Sequence, residues 1–101
     1  MRDNSQVVIV APPAEIDAET VLEFMQLLQD ALERFPAVLV VDMSDVSYMG
    51  SAGVEALRYA KDVLDQSGGR LSVRHASWPL RKLLGLMPEL EQIVEPAPRK
   101  P

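Results

Sequence analysis

The chain has 101 residues, 48% of them hydrophobic, enough for one modest core and too few for a second domain. It has no cysteine, which excludes a disulfide framework and a thiolate metal site, and its net charge of −5 repels a nucleic-acid backbone. No apolar run approaches the roughly 18 residues that cross a bilayer, and Met1 to Gln6 lacks the apolar stretch of a signal peptide, so a cytoplasmic protein without direct membrane insertion is expected.

Val7-Val8-Ile9-Val10-Ala11 is a β-branched run stopped by Pro12-Pro13, which cannot donate to a sheet ladder. Ile16 starts a brief second extended piece. From Ala18 to Phe35 the apolar residues Val21, Met25, Leu28, Leu32 and Phe35 recur three or four apart, with Phe24 and Ala31 beside them, which predicts an amphipathic helix. Asp17 stands before it, where a carboxylate accepts from free helix N–H groups, and Pro36 ends it.

Val38-Leu39-Val40-Val41 is apolar at four consecutive positions, the pattern of a central strand covered on both faces. Asp42 to Gly50 is a polar-rich connection. A second helix is predicted over Ser51 to Gln66, with Gly53, Ala56, Leu57, Ala60, Val63 and Leu64 on its buried side and Gly68-Gly69 as its stop. Arg70 to His75 reads as the next strand. Ser77 to Met87 reads as a short helix with Leu80, Leu83, Leu84 and Met87 inward, ended by Pro88, and Glu91 to Glu95 as a last edge strand. These elements predict one α/β domain over residues 1–95, a mixed sheet of about four strands with three helices, and an extended, disordered Pro-rich tail over 96–101.

Charge is uneven along this order. Residues 1–43 hold eight acids against Arg2 and Arg34, while residues 44–87 hold four acids against six bases. The first half suits a basic partner, or simply a solvated helix face.

In a parallel or mixed sheet, sites gather where strand ends meet helix starts. Gly50-Ser51-Ala52-Gly53 sits at such a junction, where free N–H groups and the helix dipole favour an anion. By residue type alone, Ser51 is first a simple helix cap.

The run Val40-Val41-Asp42-Met43-Ser44-Asp45-Val46-Ser47-Tyr48-Met49-Gly50-Ser51-Ala52-Gly53-Val54 resembles the signature of the STAS family. There an apolar strand ends in Asp-Leu-Ser and leads to Asp-Ser-Ser-Gly-Leu or Asp-Thr-Ala-Gly-Leu at a helix start. Ile16-Asp17, Gly68-Gly69 and Ser77 with Leu83-Leu84 fall where that family has its first helix, later turn and later helix. The resemblance spans about residues 7–94 and is to the anti-sigma factor antagonists.

It implies a STAS-type domain that binds an anti-sigma factor with serine kinase activity and so frees a sigma factor. Phosphorylation at Ser51 ends the capture, and a phosphatase restores it. The partner-binding surface so implied comprises Asp17, Ser44, Asp45, Gly50, Ser51, Ala52, Gly53 and Arg58, with no cofactor, metal or catalytic residue and no nucleic-acid partner. Gly50 stands where the family usually has an acid, and Ala52 replaces a second serine. Ser51-Ala52-Gly53 is also close to the Thr-Ala-Gly of non-phosphorylated STAS subunits of membrane transporters, of lipid-transport ABC or anion-transporter type, in which Ser51 is a contact or cap.

An enzyme is not expected. Gly50 lies one residue before Ser51 rather than two, so the spacing of a nucleophile elbow fails, and no phosphate-binding Gly-Lys loop occurs. The single histidine, His75, reads as a surface residue at a strand end without a matched partner, and Trp78 and Tyr48 as partly buried against the core.

Overall fold

In the computed structural model, which describes residues 6–96, the chain runs β1 (Val7–Val10), β2 (Glu15–Ile16), α1 (Val21–Leu32), β3 (Val38–Asp42), β4 (Tyr48–Met49), α2 (Ser51–Ser67), β5 (Arg70–Arg74), α3 (Trp78–Gly85) and α4 (Pro88–Glu91). The main sheet has the order β1-β3-β5, and β2 pairs with β4 beside it. Every strand pair is parallel, so the expected mixed sheet has no antiparallel member among the described residues. Each return through a helix brings the chain back in the same direction, which accounts for this.

The four consecutive apolar residues of β3 do mark the central strand: Leu39, Val40 and Val41 are at most 1% exposed. Leu39 and Val41 join the main core with Val8 and Val10 of β1 and Leu71 and Val73 of β5. Onto that face α1 delivers Phe24, Leu28, Ala31 and Leu32, and α2 delivers Ala56, Leu57, Ala60 and Leu64. Ala56 and Ala60 are the small residues that let α2 lie close to the sheet.

Three boundaries differ from the sequence reading. Residues 18–20 form a turn instead of helix, because the Asp17 carbonyl accepts from both Thr20 N–H (3.2 Å) and Val21 N–H (2.9 Å). The buried stripe of α1 centres on Phe24, with Val21 and Met25 half-buried. Phe35 falls past the helix end with φ 50° and is 60% exposed.

At the other end, Pro88 opens α4 instead of merely ending α3, since a missing N–H costs nothing in a first turn. That raises the helix count to four and takes Glu91 from the expected edge strand, and Gln92 and Ile93 follow as a turn. What remains is a single parallel bridge between Val94 and Val73, with Val73 N–H donating to Ile93 C=O and Glu95 N–H to Val73 C=O, both at 2.8 Å. Glu95 is fastened there by the Ser72 hydroxyl (2.6 Å), by Arg74 Nε (3.3 Å), and through its carbonyl by Arg81 Nη1 (2.7 Å). Apart from Pro96, the tail expected to be disordered lies outside the described residues.

Candidate functional site

The path from β3 to α2 is held by short local bonds. Asp42 Oδ1, at the end of β3, accepts from Ser44 N–H at 3.0 Å and lies 3.2 Å from Nδ1 of His75, past the end of β5. Hydrogen bonds from Ser44, first its N–H, and then from His75 hold the Asp42 carboxyl below its ordinary value. His75 is exposed, as the sequence suggests, but it does have a matched partner; its left-handed backbone (φ 62°) turns the ring toward Asp42.

Ser44 and Asp45 occupy an exposed turn closed by Val46 N–H to Met43 C=O at 2.9 Å. The chain then runs beside the Ile16-Asp17 segment. Ser47 N–H donates to Ala14 C=O (2.8 Å), Met49 pairs with Ile16, and Gly50 N–H donates to Ile16 C=O (2.9 Å). Two motifs separated by more than thirty residues are thereby stitched side by side.

Gly50, not Ser51, is the residue that caps α2. Its carbonyl accepts the N–H groups of Gly53 (3.1 Å) and Val54 (3.2 Å), and its backbone is extended. Ser51 is consequently the first helical residue. Its side chain is exposed, and its hydroxyl makes no hydrogen bond among the described residues. A group in that place is free to react or to be covered, and an added anion there meets the positive end of the dipole.

Two glycines shape this start. A Cβ on Gly53 would lie 2.5 Å from Met49 Cγ and 2.8 Å from Ile16 Cγ2, so the first turn of α2 rests on β2 and β4 at a distance only glycine permits. A Cβ on Gly50 would stand 3.1 Å from the Tyr48 hydroxyl. Tyr48 therefore lies across the space where the family's usual acid would begin.

Of the residues expected to form the site, Gly50, Ser51, Ala52 and Gly53 form one turn, and Asp17 is brought beside it by the Ile16–Gly50 bond. Asp17 is engaged in holding its own turn, with Oδ1 accepting from Glu19 N–H (2.9 Å) and Thr20 N–H (3.1 Å). Ser44 and Asp45 stay at the β3 exit. Arg58 sits two turns along α2 and is held within the protein, 3.5 Å from Glu89 of α4 and 3.7 Å from Glu55.

Sequence reasoning missed the surface next to Ser51. Met49 and Val54 with Leu83, Leu86 and Met87 line a largely apolar groove of about 490 Å³, whose lining also includes Ser51 and Glu55. Tyr48 and Trp78, read as partly buried, are 54% and 68% exposed, and Leu86 is 77% exposed. Spacing assigns Leu83 and Met87 to the core, and both are half-buried against it while also lining the groove; Leu86, just past the end of α3, faces outward. Among the described residues, no group of three or more potential ligands is placed to hold a metal.

The STAS domain family matches residues 1–96. The chain belongs to this family. Among solved structures, the STAS domain described here is similar to the anti-sigma factor antagonist SpoIIAA in its unphosphorylated form, with TM-score 0.77 and 19% identity over 98% of this chain and 85% of the other. It is similar also to the Bacillus cell fate determinant SpoIIAA in the phosphorylated form, with TM-score 0.72 and 19% identity over 98% and 88%. The murine Slc26a9 anion transporter in the inward-facing state matches with TM-score 0.72 and 17% identity, over 96% of this chain but only 17% of that one. These likenesses establish a shared fold. No curated protein sequence matches. No helix among the described residues is long and apolar enough to cross a membrane.

Proposed function

We propose that this STAS domain is an anti-sigma factor antagonist: it captures an anti-sigma factor with serine kinase activity, frees a sigma factor, and is switched off by phosphorylation at Ser51. The observation that carries this reading is the exposed Ser51 side chain at the first residue of α2, beside an apolar groove that another protein can cover, with no hydrogen bond to its hydroxyl among the described residues. In the transfer, Ser51 Oγ takes the γ-phosphoryl group of ATP held by the partner. The bond from that phosphorus to the ADP oxygen breaks, and the hydroxyl proton passes to a base of the kinase.

Phosphate brings about −1.5 to −2 charges. At this position it meets free N–H groups at the start of α2, so the helix itself is not disrupted. The charge stands instead on the groove's lining, beside Glu55, where it opposes a covering partner. A coupling of roughly 1–3 kcal/mol changes partner affinity from severalfold to about a hundredfold.

Incubation with each serine-kinase anti-sigma factor of the source genome and ATP, followed by peptide mass spectrometry, tests this. A Ser51 phosphopeptide is expected. Phosphate elsewhere, or none with any kinase, removes the reading.

A second reading rests on Gly50, which supplies no acid beside Ser51, and on the likeness to the Slc26a9 domain. In it the chain is a non-phosphorylated STAS subunit or regulator of a membrane transporter, of lipid-transport ABC or anion-transporter type. Co-purification with transporter subunits, with Ser51 unmodified, distinguishes it.

A further inference from the structure

The main sheet runs β1-β3-β5, and among the described residues nothing pairs with the outer edge of β1. The far side differs, for there Val73 of β5 donates to Ile93 and accepts from Glu95. Gln6 C=O accepts from Ala37 N–H (2.9 Å) and Val38 N–H (3.3 Å). In a parallel ladder alternate residues of a strand face its neighbour, so Val8 and Val10 bond to β3, and the N–H and C=O groups of Val7 and Ile9 point out of the edge. The register is unbroken from Val7 to Val10, and Gln6 to Pro13 carry no charge. The usual devices that blunt an edge strand, a charge, a proline within it or a bulge, are therefore absent.

The side chains of the same two residues are uncovered. Val8 and Val10 turn into the core, while Val7 and Ile9 turn to the opposite face of the sheet and are 55% and 56% exposed. There Val7 stands beside Val38 of β3 and Ile9 beside Val40. On the helix side α1 packs against both β1 and α2. Gln29 of α1 reaches Tyr59 of α2 (3.0 Å), so the flank turned toward the edge is the opposite one, which carries half-buried Leu27. Backbone donors and acceptors in a row, flanked by β-branched side chains and by no charge, fit another extended, uncharged strand. β1 is itself such a strand, and a two-fold axis lets two copies supply each other's missing bonds. Two chains of −5 each thereby meet where neither is charged.

We propose that the free edge of β1 is the interface between two copies of this chain. The two β1 strands pair antiparallel about an axis at Val8, so that Val7 of each copy exchanges both its hydrogen bonds with Ile9 of the other. The two three-stranded sheets join into one. Val40 and Ile9 of one copy, then Val7 and Val38 of the other, form a single apolar row across it. Pro12-Pro13 limit the paired length, so the interface is smaller than the roughly 1,200 Å² of a standard stable complex and the dimer is weak and concentration-dependent. This goes beyond the role proposed for Ser51, which lies on α2 and not on this edge, and stands or falls without it.

Sedimentation equilibrium of the full chain over about 10 to 500 µM, the range of a small interface, tests this. The average mass is expected to rise toward twice that of one chain. Ile9→Pro deletes an outward N–H and no bond to β3, and Val7→Lys places a charge in the apolar row; each should weaken association about tenfold or more, with circular dichroism verifying the fold. Cysteines report the register, since the native chain has none. Antiparallel pairing sets the Cα of residue 7 about 5.5 Å from that of residue 9 in the other copy, within disulfide reach, and residue 9 about 9 Å from its own counterpart, outside it. An equimolar mixture of Val7→Cys and Ile9→Cys should therefore form about fivefold more disulfide-linked dimer than either variant alone.

A mass that stays at one chain throughout the range overturns the proposal. So does an association that Ile9→Pro and Val7→Lys both leave unchanged, or a disulfide yield no higher in the mixture than in the single variants.

Discussion

Replacing Gly53 by alanine tests the geometry that presents Ser51. The new methyl carbon would stand 2.5 Å from Met49 Cγ and 2.8 Å from Ile16 Cγ2. Comfortable carbon contacts are about 3.5–4.0 Å, so each neighbour must retreat by roughly an ångström. Ile16 is 0% exposed and has no room, and Met49, 4% exposed, can yield only toward the groove it lines. Overpacking of this kind costs about 1–3 kcal/mol, against which the helix preference of alanine over glycine returns at most about 1 kcal/mol.

A net loss of about 1–2 kcal/mol lowers Tm by roughly 5–15 °C in a domain of this size. Thermal unfolding followed by circular dichroism reads it directly. Gly85→Ala is the control: nothing lies closer than 3.8 Å to its Cβ, so the same substitution in α3 should be neutral or mildly stabilising. The first turn of α2 must also lift, so Gly53→Ala should be phosphorylated at Ser51 more slowly than wild type. A Tm equal to or above wild type for Gly53→Ala would refute the close approach.

Other expectations follow from the same contacts. Phe24→Ala removes the largest fully buried side chain from the face of α1 that meets the sheet, and urea unfolding should show a loss of about 3–5 kcal/mol. The Glu95 carboxyl is held below its ordinary value by the Ser72 hydroxyl and then Arg74, and Asp42 by Ser44 and then His75. Both depressed carboxyls contribute stability that is present above their unfolded values and lost as pH falls through the folded ones. Tm should therefore decline below about pH 4.5, and less steeply in Ser72→Ala. Gly50→Asp restores the acid usual in the family. It should fold, because the half-exposed Tyr48 ring can swing aside, and should change the rate of Ser51 phosphorylation rather than Tm. Ser51→Asp adds charge at a helix start, worth about 0.3–1 kcal/mol of stability, so any loss of partner binding in that variant should come with an unchanged or raised Tm.

Much of this architecture can be read from residue patterns, and the exceptions have physical causes. The unbroken apolar run of β3 announces a buried central strand because both of its faces must be covered. Ala56, Leu57, Ala60 and Leu64 announce α2 because one helical face must be apolar. Periodicity is blind to competition at ends: the doubled acceptance by the Asp17 carbonyl delays α1, and Pro88 acts as a start because helical N–H groups are dispensable there. The turn around Ser51 is legible from residue order, but capping by Gly50 is not, since serine is ordinarily the better cap. The Asp42–His75 pair joins residues 33 apart through φ 62° at His75, a backbone state that a histidine does not advertise. The groove stayed hidden because spacing marks a residue as apolar without saying whether a neighbour covers it. Trp78 at the first residue of α3 and Leu86 just past its last are apolar in type but lie on the side of the helix turned away from Leu80 and Leu84.

The central claim is that a phosphoryl group on one oxygen atom, Ser51 Oγ, decides whether a partner stays bound. Calorimetric titration of the capturing kinase with homogeneous unmodified protein, and then with protein phosphorylated only at Ser51, measures it directly. The account predicts at least a tenfold loss of affinity, about 1.4 kcal/mol, on phosphorylation. Equal affinities for the two forms would contradict it.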